Sequence, residues 1–168
     1  FMSSASPTEL RKAFSSFATG VTVITGIGNN NKAVGVTISS FNTVSLDPPL
    51  VLWSLSERSV FMDAFTVGKK QLIHVLERSQ EDIAMRFAKS TGDQFAGGDL
   101  VTTPSGLAML PDCVAYFECE TIAVHPGGDH RIIVARIVNM EHHEARDPLI
   151  FSRSQFMGLR LPERAPIE

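Results

Sequence analysis

The segment WSLSERS, residues 53–59, combines residue types that bind anions. Ser56, Arg58 and Ser59 stand where a predicted strand passes into a predicted helix, and the free N–H groups of a helix start, together with an arginine, suit a phosphate group. A structural interpretation fits the same residues, with Ser56 or Ser59 capping the helix and Arg58 solvated. Both interpretations remain open, and Trp53 is more typical of a core than of a stacking surface.

A second polar segment is GVTISSFNTVSLDPP at residues 35–49. Its hydroxyl residues Thr37, Ser39 and Ser40 stand in a stretch that is otherwise apolar enough to form part of a core. Hydroxyl groups, main-chain amides and apolar walls together suit a flat ligand with many hydrogen-bond acceptors. The alternative is an edge strand that runs into a turn rich in serine and threonine, which the composition alone favours.

The third candidate is HPGGDHRII at residues 125–133, which separates two strand-like stretches. Gly127 and Gly128 predict a tight turn. Asp129 and His130 follow that turn, and histidine changes its charge close to neutral pH. Taken alone, this segment is more typical of a solvated corner than of a site.

The other histidines and the two cysteines do not predict a metal or redox site. His142 and His143 are adjacent, so their side chains diverge, and no third ligand stands at a fixed spacing from them. His74 lies in an apolar stretch and is expected to be a hydrogen-bonded core residue. The spacing of Cys113 and Cys119 matches neither redox nor zinc motifs, and we expect reduced structural thiols.

The composition excludes several classes of function. The net charge of -3 argues against a nucleic-acid partner, and no basic cluster marks a membrane-binding surface. The uncharged stretches 13–31 and 33–46 are rich in Ser, Thr, Gly and Asn, so neither suits a bilayer. Because no basic and then apolar leader is present, we expect a cytoplasmic protein in which Met2 is the natural start and Phe1 an addition.

The elements that carry these segments begin with a helix. Ser6 and Glu9 match a capping box, with Pro7 at the first helical position. An apolar repeat at helical spacing then predicts one buried face, formed by Leu10, Phe14 and Phe17.

The rest of the chain is mainly β in character. Stretches that are β-branched or alternating predict strands over residues 21–25, 33–38, 49–55, 71–76, 115–124, 131–140 and 148–153. Short helices are predicted over residues 60–67, with Ser59 as the N-cap, and from Ser79 onward, with Ile83 and Phe87 on one face and Lys89 as a solvated charge at the end. Residues 91–111 show no period and predict a long loop, and residues 162–168 a polar tail.

This order predicts a single domain over residues 1–168, mainly β with flanking helices, arranged as a closed and mainly antiparallel barrel. The sequence Gly26-Ile27-Gly28 is not a dinucleotide-binding fingerprint, because Asn31 replaces the third glycine and a hairpin follows in place of a helix. A Walker A motif is also absent. A nucleotide would therefore be bound in another way.

Five segments together resemble a known family. They are FATGVTVIT at 17–25, GVTISSFNTVSLDPPLVL at 35–52, RFA at 86–88, GDH at 128–130 and DPLIF at 147–151. In this order and spacing the chain resembles the short flavin reductases that serve two-component flavin-dependent monooxygenases. The first two segments carry most of the specificity.

The resemblance implies a split β-barrel of the FMN-binding type, a homodimer with the flavin near the subunit interface, and oxidation of NADH or NADPH. Reduced FMN or FAD would pass by diffusion to a separate oxygenase. The choices between FMN and FAD, and between NADH and NADPH, stay open.

The resemblance also implies roles for individual residues. The isoalloxazine ring and ribityl chain would be lined by Thr37, Ile38, Ser39 and Ser40. The flavin would lie along Trp53, Ser54 and Leu55. Its phosphate would be bound by Arg58 and Ser59, and the pocket would be completed by Phe87, Ala88 and Lys89. The nicotinamide would meet His130, with Asp129 as the residue that orients it.

The chain departs from the family at two places. Ser154-Gln155-Phe156 stands where many relatives have Gly-Lys/Arg-Tyr, which removes a hydroxyl group, and Trp53 replaces a small aliphatic residue, which would alter flavin stacking. Since one fold hosts several activities, two alternatives remain: a flavin-dependent reductase of a corrinoid or of ferric iron, and a flavin- or haem-binding module without turnover.

Overall fold

The computed structural model describes residues 4–91, 94–95 and 100–160. Its helices are α1 (Pro7–Phe14) and α2 (Glu81–Phe87), with a 3-10 helix over Met62–Phe65. The strands in chain order are β1 (Thr19–Gly20), β2 (Thr22–Ile27), β3 (Ala33–Ile38), β4 (Asn42–Leu46), β5 (Pro49–Ser56), β6 (Lys70–Val75), β7 (Val101–Thr102), β8 (Ala108–Met109), β9 (Ala115–Gly127), β10 (His130–His142), β11 (Leu149–Ser152) and β12 (Gln155–Gly158).

The central element is a seven-stranded antiparallel sheet with the strand order β3-β2-β6-β9-β10-β5-β4. The sheet is curled, so that Ser40, just after the edge strand β3, bonds with Ser54 on β5, which is the neighbour of the opposite edge strand β4. Within the described residues no ladder joins β3 to β4, so the barrel is split, as the resemblance implied, and is not the closed barrel that the pattern of strands predicted.

Both faces of β2 and β6 are buried, which explains why neither strand alternates between apolar and polar residues. Ile24 and Ile73 point into the barrel interior, where they pack with Trp53. Their neighbours Val23 and Leu72 point the other way, into a second core beneath α2 and residues 107–116. Successive side chains of a strand lie on opposite faces, so one strand serves two cores.

Helix α1 begins as predicted, but its apolar face is not buried as expected. The capping box is present, because Ser6 Oγ accepts from Glu9 N at 3.2 Å and Ser6 N donates to Glu9 Oε2 at 2.8 Å. The predicted buried face is wrong: Phe14 is 70% exposed, and Phe17, which lies beyond the helix end, is 79% exposed. Periodicity reveals an apolar face but does not say whether the same chain covers it.

Two other helices differ from the prediction. The one expected over residues 60–67 is only the four-residue 3-10 helix, and Ser59 does not cap it but accepts from Phe61 N at 3.2 Å. Helix α2 begins two residues after Ser79, with Gln80 at the N-cap position and without a side-chain cap. Phe87 is buried as predicted, and Ile83 packs against the same core.

The remaining strand predictions were close in position but missed five of the described strands. Strands β1, β4 and β12 are short or exposed and carry no clear alternation. The loop expected over residues 91–111 contains the small β7–β8 hairpin in its described part. The predicted polar tail, residues 162–168, lies outside the described residues, and among those described no helix has the length and apolar character to cross a bilayer.

Candidate functional site

The β9–β10 hairpin brings the GDH segment and the SERS segment to the same end of the sheet. Its two-residue turn is Gly128-Asp129, one position later than predicted, and Gly128 has a φ of +67° that favours glycine. His130 pairs with Ser56, and Glu57 N donates to Asp129 O at 3.0 Å. Two segments that are far apart in the sequence therefore form one polar edge.

Asp129 and His130 form a hydrogen-bonded pair at this edge. His130 Nδ1 lies 2.7 Å from Asp129 Oδ1, and the two side chains are 46% and 95% exposed. This hydrogen bond lowers the pKa of Asp129 below its usual range, so the carboxylate is ionised near neutral pH. Nδ1 is thereby committed as the donor, while Nε2 has no hydrogen-bond partner among the described residues and is available to a ligand.

The anion site predicted around Ser56, Arg58 and Ser59 is only partly built. The helix that was expected to supply free N–H groups is a single 3-10 turn, and Ser56 Oγ accepts from Arg58 N at 3.3 Å. The hydroxyls of Ser56 and Ser59 therefore stabilise the turn. Arg58 is exposed and makes no ion pair within the described residues, whereas the neighbouring Arg131 is paired with Glu57 at 2.9 Å.

A ring-sized pocket lies between β3, α2 and the β11–β12 hairpin. Its volume is about 290 Å³, near the lower end of the range for ligand pockets. It is lined by Val21, Thr37, Ser39, Ala84, Met85, Ala88, Phe151, Ser154 and Phe156. Three of the residues that the resemblance assigned to the flavin are in this wall: Thr37, Ser39 and Ala88. We call it the apolar pocket.

Close packing fixes the depth of the apolar pocket. A Cβ on Gly35 would lie 2.5 Å from the Phe87 ring, so glycine is required for α2 to approach β3 this closely. Thr37 Oγ1 donates to Ala84 O at 2.6 Å and ties the same helix to the same strand. The side chain of Gln94 bonds both main-chain groups of Gly35, at 3.3 and 2.9 Å. Sequence analysis missed Gln94, because it lies in a stretch without periodicity.

The far wall of the apolar pocket is aromatic. The rings of Phe151 and Phe156 lie 5.0 Å apart between centroids, and Phe156 occupies the position where the family pattern has tyrosine. The lost hydroxyl therefore belongs to a pocket-lining residue. Behind this wall, Thr19 Oγ1 is buried and has no partner among the described residues, and Thr19 pairs with Phe151 in the β1–β11 ladder.

Four of the residues that the resemblance assigned to the flavin have buried side chains. They are Ile38, Trp53, Leu55 and Phe87, each at most 8% exposed. Trp53 donates from Nε1 to Gln71 Oε1 at 2.8 Å inside the barrel, and its indole does not line the apolar pocket. On β5 the inward residues alternate with Ser54 and Ser56, and this alternation was visible in the sequence.

The remaining residues that the resemblance assigned to the flavin lie at or near the edges of the site. Ser40 Oγ accepts from Ser54 N at 2.9 Å and its hydroxyl lies 3.3 Å from Ser54 O, so this serine joins the end of β3 to β5. Ser39, its neighbour, faces the apolar pocket. Lys89 is exposed just beyond α2 and does not line that pocket.

The histidine and cysteine predictions for the core are confirmed. His74 is fully buried, its Nδ1 lies 2.8 Å from Val23 O, and its Nε2 accepts from Leu110 N at 3.1 Å. Burial lowers the pKa of His74 to about 4, so the ring is neutral. Cys113 and Cys119 are free, and burial raises the pKa of each thiol to about 12.

Known proteins are related to this chain in sequence and in fold. The chain is 40% identical over 146 residues to the FMN reductase (NADH) SmoA of Agrobacterium fabrum, covering 87% of this chain and 82% of that protein. It is 32% identical to the reductase subunit HsaB of a flavin-dependent monooxygenase of Rhodococcus jostii, covering 95% of this chain and 82% of the subunit. Some curated relatives are longer, and the chain spans 51% and 57% of two of them.

Solved structures share the whole fold. The Streptomyces globisporus NADH:FAD oxidoreductase SgcE6, solved with NAD and FAD fragments, superposes with a TM-score of 0.86 at 34% identity, covering 98% of this chain and 99% of that one. The sequence profile of the flavin reductase like domain matches residues 14–160. This chain belongs to the flavin reductase like domain family.

Proposed function

We propose that the protein is an NADH-dependent flavin reductase that reduces FMN or FAD and supplies the reduced flavin to a separate monooxygenase component. The observation that carries the proposal is the apolar pocket, which opens beside a serine-lined edge leading to Arg58 and His130. An apolar ring site next to hydroxyl groups and an unpaired cation fits a flavin, whose flat ring carries a polar chain and a phosphate.

The candidate site divides into an apolar part and a cationic part with separate tasks. The apolar pocket would hold a ring away from water between β3 and Phe156, with Ser39 at its rim. Arg58 would bind a phosphate group through its free guanidinium. Hydride transfer between nicotinamide and flavin is supplied by those cofactors when they are bound, so the protein's task is to position the two rings.

His130 would orient the nicotinamide. Its Nδ1 is held by Asp129 at 2.7 Å, which fixes the ring and leaves Nε2 directed away from that bond. Nε2 can accept from the carboxamide of the nicotinamide while Nδ1 donates to Asp129. The arrangement requires no acid or base on the protein for the chemical step.

A homodimer is part of the proposal, and exposed apolar side chains support it. Phe14 and Phe17 are 70% and 79% exposed, and Leu46 on the edge strand β4 is 96% exposed. Large apolar side chains on a free surface favour burial against a partner. We also propose a single domain and a cytoplasmic location, the latter supported by the two buried free thiols.

The experiment is a steady-state assay of NADH oxidation by purified protein, with and without added FMN, FAD or riboflavin. We expect turnover that depends on added flavin, with NADPH a poorer donor than NADH. A yellow protein that retains flavin but does not oxidise NADH would contradict the proposal and indicate a carrier. Reduction of ferric iron or of a corrinoid at a higher rate than of free flavin would indicate the alternative reductase.

Arg58→Ala tests the proposed phosphate contact. Because a hydrogen bond to a charged group contributes roughly 1.5–3 kcal/mol, we expect FMN binding to weaken about tenfold or more while riboflavin, which has no phosphate, is little affected. Fluorescence titration measures both affinities, and Arg136→Ala is a control at another exposed arginine. Equal losses for FMN and riboflavin would remove Arg58 from the phosphate site.

A further inference from the structure

A second cavity lies beside the apolar pocket and is lined by cations. It has a volume of about 510 Å³ and is formed by Arg11, Lys12, Ser15, Ser16, Arg153 and Ser154. Its lining contains three basic side chains and not one carboxylate, although the whole chain carries a net charge of -3. We call it the basic pocket.

The basic pocket is a built junction between two distant parts of the chain. Ser15 O, at the end of α1, accepts from Arg153 N at 2.6 Å and from Ser152 Oγ at 3.2 Å. Arg153 and Ser154 form the β11–β12 turn with φ values of 50° and 62°, a left-handed pair typical of tight hairpin turns. These bonds hold the turn and the helix end against each other and bring their cations together.

The three cations lack partners within the protein. None of Arg11, Lys12 and Arg153 makes an ion pair or a side-chain hydrogen bond with another residue in the described part of the chain, whereas Arg131 and Arg146 are paired with carboxylates. The end of a helix favours cations, which accounts for Arg11 and Lys12 alone. It does not account for Arg153, which comes from the opposite wall.

The basic pocket adjoins the proposed ring site. Ser154 lines both cavities, so the cations stand next to the space where a ring would bind. Arg58 stands elsewhere, at the edge that carries His130, so the two sets of cations serve different parts of the site. Guanidinium groups bind phosphate oxygens in pairs, and two of the three cations are arginines.

We propose that the basic pocket binds the diphosphate of a dinucleotide, either FAD whose flavin ring occupies the apolar pocket or a nicotinamide dinucleotide whose ring stacks on that flavin. This inference rests on the proposed function and adds a subsite to it. A diphosphate reaches the site from two sources, the nicotinamide dinucleotide and FAD, and the chemistry of recognition is the same for both. Ser15, Ser16 and Ser154 supply hydroxyl groups beside the cations.

The direct test is equilibrium binding of ADP, which carries the diphosphate without a redox ring. Isothermal titration calorimetry compares the native protein with the triple variant Arg11→Gln, Lys12→Gln, Arg153→Asn. Asn is chosen at position 153 because it tolerates a positive φ. The charge-matched control is a second triple variant, which removes three exposed cations elsewhere on the surface: Lys32→Gln, Lys70→Gln, Arg136→Gln.

We expect the basic-pocket triple variant to lose ADP affinity by at least about tenfold while the control retains it. Far-UV circular dichroism and thermal unfolding show whether each variant is folded. Equal ADP affinity in the native protein and the folded triple variant would overturn the proposal. If the triple variant does not fold, Lys12→Gln alone, at an exposed helix position, gives a smaller loss that tests the same point.

Kinetic arms distinguish the two sources. The KM for NADH is compared with that for reduced nicotinamide mononucleotide, and the affinity for FAD with that for FMN. A raised KM for NADH alone, with kcat unchanged, assigns the basic pocket to the nicotinamide dinucleotide; weaker binding of FAD alone assigns it to the flavin. If the triple variant changes neither the KM for NADH nor the affinity for FAD, the proposed subsite is contradicted. Absence of NADH oxidation in the native protein would contradict the proposed function, while the ADP titration would still decide the subsite.

Discussion

Two histidine-containing regions of this molecule use the same side chain in opposite ways. His74 lies beneath the second core with both ring nitrogens bonded and no exposed surface. His130 lies at the open end of the long hairpin, 46% exposed, with one nitrogen bonded to Asp129 and the other without a partner in the described residues. The two histidines therefore differ in unpaired hydrogen-bonding capacity and not in residue type, and that capacity is why His130 is the one placed in the proposed site.

Changes of charge in the packed region around His74 are expected to lower the free energy of unfolding most. Burial lowers the pKa of His74 from 6.5 to about 4, so the unfolded chain takes up a proton that the native protein excludes as the pH falls. Stability from this group is complete above pH 6.5 and is lost as the pH falls towards 4. We expect a loss of up to about 3 kcal/mol, since one pKa unit corresponds to about 1.4 kcal/mol.

Urea unfolding of the native protein and of His74→Gln across this pH range measures the effect. The variant should be less stable at neutral pH and should show a smaller dependence on pH between 6.5 and 4. An unchanged slope in the variant would show that other groups cause the acid sensitivity. His130→Gln is the matched control, because its exposed ring should contribute little to stability.

Gly35→Ala places a methyl group into the contact between β3 and α2. Because its Cβ would lie 2.5 Å from the Phe87 ring, we expect the helix to shift, with a loss of about 1–3 kcal/mol and weaker flavin binding. Gly20→Ala is the control, since no atom lies within 4 Å of its Cβ position. Denaturation curves and flavin titrations measure both effects. Normal flavin affinity in Gly35→Ala would show that α2 does not set the shape of the pocket.

Trp53→Phe separates a core role from a role at the flavin. The variant leaves Gln71 Oε1 without its 2.8 Å donor inside the barrel, so we expect a loss of about 1–3 kcal/mol in the free energy of unfolding. The KM for flavin should stay unchanged, because the indole does not line the apolar pocket. A change in flavin KM without a change in stability would restore the stacking role that the family pattern suggested.

His130→Ala is expected to have the smallest effect, which falls on the KM for NADH and not on the free energy of unfolding. We expect a several-fold rise in the KM for NADH, with flavin affinity and stability little changed, because the side chain is exposed and outside both cores. Stopped-flow reduction at saturating NADH should approach the native rate. An unaltered KM for NADH would remove His130 from the nicotinamide site and make both histidines structural.

Sequence patterns predicted the elements that depend on local chemistry. The capping box of α1, strand β3 and the central strands follow from nearest neighbours and side-chain period, and they were found close to the predicted positions. The exposed face of α1 was not predictable in this way, because a pattern shows which face is apolar and not what lies against it. Short strands such as β12 have no period of their own and form only because a neighbouring strand is present.

For the site, the sequence by itself determined the family and the chemical types present: hydroxyls at the end of β3, an arginine after β5, and a histidine after a glycine turn. The tertiary structure decided which of these side chains are exposed or line a cavity. Alternation along β5 sends Trp53 inward, the sheet joins His130 to Ser56, and the β11–β12 turn brings Arg153 to the end of α1. The physical reason is that pockets form between elements distant in the chain, and their contacts depend on strand register and packing rather than on local sequence.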